Sequence, residues 1–302
     1  MEYKRVNWGF LLFLVLEIMM IVGLIFGVFD GIDIEDTLIG TVFSESTIFL
    51  APTIVLIMGN RDCSLSDRLG LKSMKLSVLA MVFLYGIAIM PLGTLANGIS
   101  MLWVDNVVLE ESASILQDKW YVSLFATAVI APLAEEYCFR AFMYNGYRRD
   151  GAGFSAVFLS SIAFAFMHMN FNQAAYALIV GIAFALIYEA TGSFWSSFLC
   201  HLMFNAESII VMFLEEHFYP GTYDDLSVDR EELISEMPEL IIAAIVGLVF
   251  AICFLLLTAK LSNRQENLKD LFTKREDRPR VITAPFVITL IMLLTYMILS
   301  EL

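Results

Sequence analysis

Residues Ala131-Pro132-Leu133-Ala134-Glu135-Glu136-Tyr137-Cys138-Phe139-Arg140 set two adjacent carboxylates and a guanidinium inside a run otherwise apolar enough to enter a bilayer. A carboxylate at the centre of a membrane span costs about 2.5–3.5 kcal/mol on insertion scales, so an ionisable side chain there points to function. On a helix, Glu136 and Arg140 stand four residues apart on one face and can pair. Glu135 is turned about 100° from its neighbour, so one glutamate can be neutralised while the other stays free for chemistry. Pro132 removes a backbone hydrogen bond just before the pair and kinks the helix. The freed carbonyl and the carboxylates suit a water-filled cavity better than lipid.

The sequence on either side is equally apolar. Hydrophobic residues make up 59% of the 302, with a mean hydropathy of +0.76, against roughly 45–50% apolar in soluble domains. The reading is an all-α fold, a polytopic transmembrane helix bundle of about eight or nine spans. Stretches of about 20 apolar residues mark spans. They fall at Trp8 to Phe29, Thr37 to Met58, Leu76 to Gly98, Trp120 to Tyr147, Phe154 to Met169, Gln173 to Tyr188, Phe194 to Leu214, Leu240 to Ala259 and Val281 to Leu299. The fifth and sixth are short. The first is too long for a signal-peptide core and has no small-x-small cleavage site after it, so it is expected to be retained.

The net charge of −14 reports topology rather than a basic partner. With the N-terminus in the cytoplasm, the inside segments carry Lys4, Arg5, Arg61, Arg68, Lys72, Lys75, Arg148, Arg149, Lys260, Arg264, Lys269, Lys274, Arg275, Arg278 and Arg280. Only Lys119 and Arg230 fall outside, and this positive-inside bias supports the span count and orientation together. The acidic excess lies outside, in Asp30 to Asp36, Asp105 to Asp118 and Glu215 to Glu239. Cys63, Cys138, Cys200 and Cys253 have no paired spacing, which argues against a disulfide framework or thiolate zinc site and for packing thiols.

Elsewhere, polar residues within spans are few. Glu17 and Glu45 each interrupt an apolar helix and are read as structural or interfacial, with lining a polar cavity the lesser alternative. Pro91, Gly93, Asn97 and Gly98 permit a kink or close helix approach in the third span. A short surface helix is expected between Val104 and Lys119. Of three histidines, His168 and His201 lie within spans and His217 is assigned to an acidic outer loop. His201 and Asn205 share one helix face, a single turn apart.

If their helices meet, Glu135 and His168 can hold a water, the carboxylate acting as general base. His201 and Asn205 can donate to the oxygen of a scissile carbonyl, each donor often worth about 2.7–4 kcal/mol. Zinc held by Glu135, His168 and His201 is an alternative use of the same side chains, polarising the water. No H-E-x-x-H occurs, and spacing does not choose between them. Counting about 1.5 Å per residue from the proposed cytoplasmic ends puts His201 about 10 Å deep, Glu135 about 18 Å and His168 about 21 Å. These levels converge only if the helix ends near Tyr147 and Phe154 project into the cytoplasm.

At these residues the chain resembles the CPBP intramembrane proteases, which include the type II CAAX prenyl endopeptidases and the bacterial Abi proteins of bacteriocin processing and self-immunity. Their E-E-x-x-x-R motif stands here as Glu135, Glu136 and Arg140, F-x-x-x-H as Phe164 and His168, and H-x-x-x-N as His201 and Asn205. Their glycine-rich lead-in is similar to Gly181 to His201, with Thr191-Gly192-Ser193. The resemblance implies a core of four catalytic helices over residues 120–214, flanked by N-terminal helices in 1–119 and C-terminal helices in 215–302. It implies Glu135 and His168 activating water, His201 and Asn205 forming the oxyanion hole, and Glu136 with Arg140 ordering the site. It also implies a hydrolase cleaving a membrane-associated peptide, prenylated or bacteriocin-like, in a bacterial or archaeal cell membrane, with the site opening toward the cytoplasm. A mechanism requiring no cofactor is favoured, and a single zinc is the alternative. Implied partners are membrane lipid and the peptide substrate, with no nucleic acid; oligomeric state leaves no signal. A competing reading is a non-catalytic immunity or scaffold protein of the same fold. A transporter would repeat its broken helices in two halves, and no second copy of the kinked acidic span is present.

Overall fold

Among the described residues the regular structure is helical, as the unbroken apolar runs require. A computed structural model describes residues 1–32, 37–58, 69–223, 229–273 and 278–301. Arg61, Arg68, Lys274, Arg275, Cys63 and much of the first acidic loop (33–36) lie outside the described residues. In chain order the helices are α1 (Glu2–Ile25), α2 (Thr37–Met58), α3 (Leu76–Met101), α4 (Val107–Gln117), α5 (Trp120–Arg149), α6 (Phe154–Phe166), α7 (Phe171–Thr191), α8 (Phe194–Phe218), α9 (Arg230–Leu261), α10 (Gln265–Phe272) and α11 (Ala284–Ser300). No strand occurs among the described residues. Among the described residues seven helices are long and apolar enough to cross a membrane, and α6 and α11 are shorter apolar helices. The chain is an integral membrane protein.

All nine predicted spans are helices, with some boundaries corrected. The fifth ends at Phe166 rather than Met169, because Met169 takes a positive φ of 58° and Asn170 caps the next helix by accepting from the Gln173 N–H at 2.7 Å. The sixth is therefore not short: it spans 21 residues. The seventh runs on to Phe218, so His217 closes a helix instead of lying in a loop. The eighth begins ten residues early, where Asp229 accepts from the Glu231 and Glu232 N–H groups. Two glutamates in that first turn complement the helix dipole.

The interior is aromatic and small-residue packing, as expected where lipid offers no hydrophobic drive between helices. Phe13 of α1 packs edge-on to Phe49 and Phe142, and Phe139 links Phe49 to Phe164. Each such pair is worth about 0.5–1.5 kcal/mol beyond its buried area. The outer faces keep Ile242, Ile245, Val249 and Phe250 of α9 exposed, a lipid-facing surface. α9 lies along α3 because Gly247 has no side chain: a Cβ there would stand 2.6 Å from the Ala88 carbonyl oxygen, beside the Pro91 ring.

Two devices set the start of α8. Gly192 ends α7 in the left-handed conformation (φ +68°), and its N–H bonds the Tyr188 carbonyl at 2.7 Å. The Ser193 hydroxyl then donates to the Lys72 carbonyl, and the Phe194 N–H to that of Gly70. At the same end of the bundle, Glu189 accepts from the Tyr144 hydroxyl and from Arg148 at 2.8 Å. Arg148 also reaches Asp270 at 3.2 Å, and Arg278 donates to the Asp270 carbonyl. These ties hold α5, α7 and α10 together beside the motifs.

Gly247→Val should lower the detergent unfolding temperature, reflecting an overpacking cost of about 1–3 kcal/mol. An unchanged midpoint would show that α3 and α9 are not in such close contact.

Candidate active site

α5 carries the organising stretch and departs from regular α geometry on both sides of it. Residues Ala126–Ile130 and Tyr137–Tyr144 are π-helical, and the α turn Ala131–Glu136 lies between them. Pro132 explains the first deformation. The Ala131 N–H bonds to Ala126, five residues back, so it is not available to Thr127. The next N–H in register would be that of residue 132, which as proline has none. The Thr127 carbonyl is left without a helical donor, and the Asn205 amide of α8 donates to it at 2.9 Å. The freed carbonyl expected from the proline is therefore satisfied by a side chain.

One turn further along α5 a charge network begins. Glu136 is fully buried; one carboxylate oxygen accepts from His201 Nδ1 at 3.0 Å and the other faces Arg140 Nε at 3.3 Å. Arg140, 1% exposed, donates from Nη2 to the Gly181 carbonyl at 3.2 Å. Its guanidinium lies over the rings of Phe164 and Phe184, 4.6 and 5.4 Å from their centroids. His201 stacks on Phe184 at 4.9 Å, and its Nε2 stands 3.4 Å from a Glu135 oxygen. The predicted Glu136–Arg140 pair is present, and His201 meets both glutamates. The unequal depths counted from helix ends do not keep His201 and Glu135 apart.

His168 is not on α6 but in the turn that follows it. Its Nδ1 lies 2.9 Å from the Phe164 carbonyl, its ring packs edge-on to Phe164, and its own carbonyl accepts from Asn170. A carbonyl only accepts, so Nδ1 carries the proton and Nε2 presents a lone pair. Glu135 and His168 line one cavity of about 180 Å³, large enough for water.

Glu17 and Glu45 line the same cavity, the lesser of the two alternatives read from the sequence. Their signal was present in the sequence as carboxylates in apolar spans, but nothing in local spacing connects α1 and α2 to α5. Thr127, Gly181 and Phe184 were also missed as partners, since backbone carbonyls and a phenylalanine carry no motif. Asn205 lies one turn from His201 as predicted, but one of its amide hydrogens is engaged by Thr127.

Among the described residues no three His, Cys, Asp or Glu side chains form a ligand set. His201, with Nδ1 on Glu136 and Nε2 beside Glu135, is oriented as an oxyanion donor or a metal-ligating imidazole would be. Of the cysteines, Cys138 and Cys200 are buried free thiols, as packing residues would be, whereas Cys253 is exposed.

Residues 117–206 match the family described as Type II CAAX prenyl endopeptidase Rce1-like. The protein named "Putative membrane peptidase YdiL" of Bacillus subtilis (strain 168) is 26% identical over 92 residues. That stretch is 30% of this chain and 37% of the relative's length, so the chain spans little more than a third of the relative it matches. No solved structure matches. The segment bearing the three motifs is thus similar to the Rce1-like type II CAAX prenyl endopeptidases and to the protein named "Putative membrane peptidase YdiL".

Arg140→Met should destabilise the protein by about 3–5 kcal/mol, the cost of stranding one member of a buried pair. Adding Glu136→Gln should recover part of that loss in detergent unfolding. Strictly additive losses would contradict the pairing.

Proposed function

We propose, from an integral membrane chain whose residues 117–206 are Rce1-like, that this protein is an intramembrane endopeptidase acting on a membrane-associated peptide. The observation that carries the reading is the shared cavity of Glu135 and His168, with His201 against Glu135. A water between Glu135 and the His168 Nε2 lone pair has two acceptors for its hydrogens, leaving its oxygen lone pair for a carbonyl carbon. As the water oxygen bonds to carbon, Glu135 takes a proton and the carbonyl oxygen becomes an oxyanion. The C–N bond then breaks, the proton on Glu135 passes to the leaving nitrogen, and the products are a carboxylic acid and an amine.

His201 is suited to the oxyanion. The Glu136 carboxylate, already paired with Arg140, accepts from Nδ1; a further proton on Nε2 makes an imidazolium. Glu135, Glu136, Arg140 and His201 then sum to zero charge, which makes the protonated ring tolerable where desolvation is severe. The second hydrogen on the Asn205 amide nitrogen supplies another donor. Glu136 and Arg140 position His201. No step requires a metal. Opening of the site toward the cytoplasm is part of this reading; Arg148, Arg264 and Arg278, all predicted inside, gather with Glu189 and Asp270 and mark that end of the bundle. Prenylated tails and bacteriocin-like peptides are the substrate classes that the family suggests.

In a membrane reporter-cleavage assay, Glu135→Gln and His168→Ala should each lower turnover by about 10²–10⁴-fold, and Asn205→Ala by about 10²–10³-fold. Chelation that removes all metal should leave wild-type turnover intact. Full biological activity in both Glu135→Gln and His168→Ala would support a non-catalytic scaffold instead, and loss on chelation would restore the zinc alternative.

A further inference from the structure

The cavity holds more acid than the reaction uses. Glu135 has His201 and Glu136 has both His201 and Arg140. Glu17 on α1 and Glu45 on α2 face the same space, and among the described residues no cation or hydrogen-bond donor pairs with either. One Glu45 carboxylate oxygen is enclosed by protein and accepts nothing. No lysine or arginine lines the cavity. An enclosed acceptor left unmet is costly, and two carboxylates beside a third raise that cost unless they hold protons or a cation from outside the chain joins them.

We infer that Glu17 and Glu45 form a specificity subsite for a basic side chain, lysine or arginine, in the substrate peptide close to the bond that is cut. This rests on the hydrolytic reading of the cavity, and it reaches beyond the family match, because α1 and α2 lie outside residues 117–206. Three observations direct it to an organic cation rather than a metal ion. The acidic groups do not converge into a three-ligand set. Ser44 adds a neutral acceptor beside Glu45, while Ile48, Phe49 and Met167 make the rest of that wall apolar. A long aliphatic stem ending in an ammonium or guanidinium matches such a lining, with its methylenes on the apolar wall and its head among the acceptors. Since Glu45 and Glu135 share one small cavity, a cation held there brings an adjacent carbonyl toward Glu135. Glu17 and Glu45 thus select and place the peptide, and neither touches the reacting atoms.

The test uses the full-length protein in nanodiscs and a series of membrane-anchored fluorescent peptides. A single lysine is walked through the series, each peptide paired with its glutamine counterpart, and binding is followed by anisotropy. At one position the wild type should bind the lysine peptide about tenfold or more tightly than its counterpart. In Glu17→Gln/Glu45→Gln that ratio should fall to within about twofold, and each single replacement should give an intermediate value. No preference at any position in the wild type would overturn the inference whether or not the variants fold. A preference that survives the double replacement would overturn it too. Glu135→Gln separates the two readings: lost cleavage with the lysine preference retained supports both, whereas retained cleavage with that preference refutes the hydrolytic reading and leaves the subsite standing.

Discussion

Glu136 joins Arg140 on one oxygen and His201 on the other, with no exposure to lipid or water. A lone buried carboxylate would be untenable, and a lone buried guanidinium nearly so. Bridged, they compensate each other and fix three elements at once: α5 through Glu136 and Arg140, α8 through His201, and α7 through the Gly181 carbonyl that Arg140 reaches. Phe164 and Phe184 cover the guanidinium, and Phe184 also stacks on the imidazole. Cation–π contact of this desolvated kind is worth about 2 kcal/mol. The position of Glu135 follows from this arrangement, since the residue beside a fixed Glu136 has little freedom to move.

Deformation of α5 serves the same end. Proline at 132 removes one donor, the helix widens into π turns, and Asn205 meets the carbonyl left over. α8 is thereby held to α5 at two levels, His201 to the glutamates and Asn205 to Thr127. The first turn of α8 is held separately through Ser193 and Phe194 to the segment before α3. π-bulges recur at functional sites for this reason: they turn side chains and carbonyls out of the regular ladder.

What could be read from residue order depended on range. Apolar length and the distribution of Lys and Arg were enough for a helical bundle, and four-residue spacing was enough for Glu136 beside Arg140 and His201 beside Asn205. The end of α6 was misplaced because an apolar run continues through Met167 and Met169, and only the positive φ at Met169 and the Asn170 cap stop it. Glu17 and Glu45 were visible as anomalies, yet their cavity comes from α1 and α2 packing against α5, a contact that no local pattern encodes. Likewise, the proline forecast a free carbonyl, but only packing shows that α8 supplies its donor.

The account centres on His201 donating from Nδ1 to a charged Glu136, and a chain with three histidines allows that proton to be seen directly. Nitrogen-15 magnetic resonance of histidine-labelled protein in bilayers, assigned by replacing His168 and His217, should show a protonated His201 Nδ1. That signal should shift in Glu136→Gln and hold in Glu189→Gln. An unprotonated Nδ1, or one indifferent to Glu136, would contradict the account.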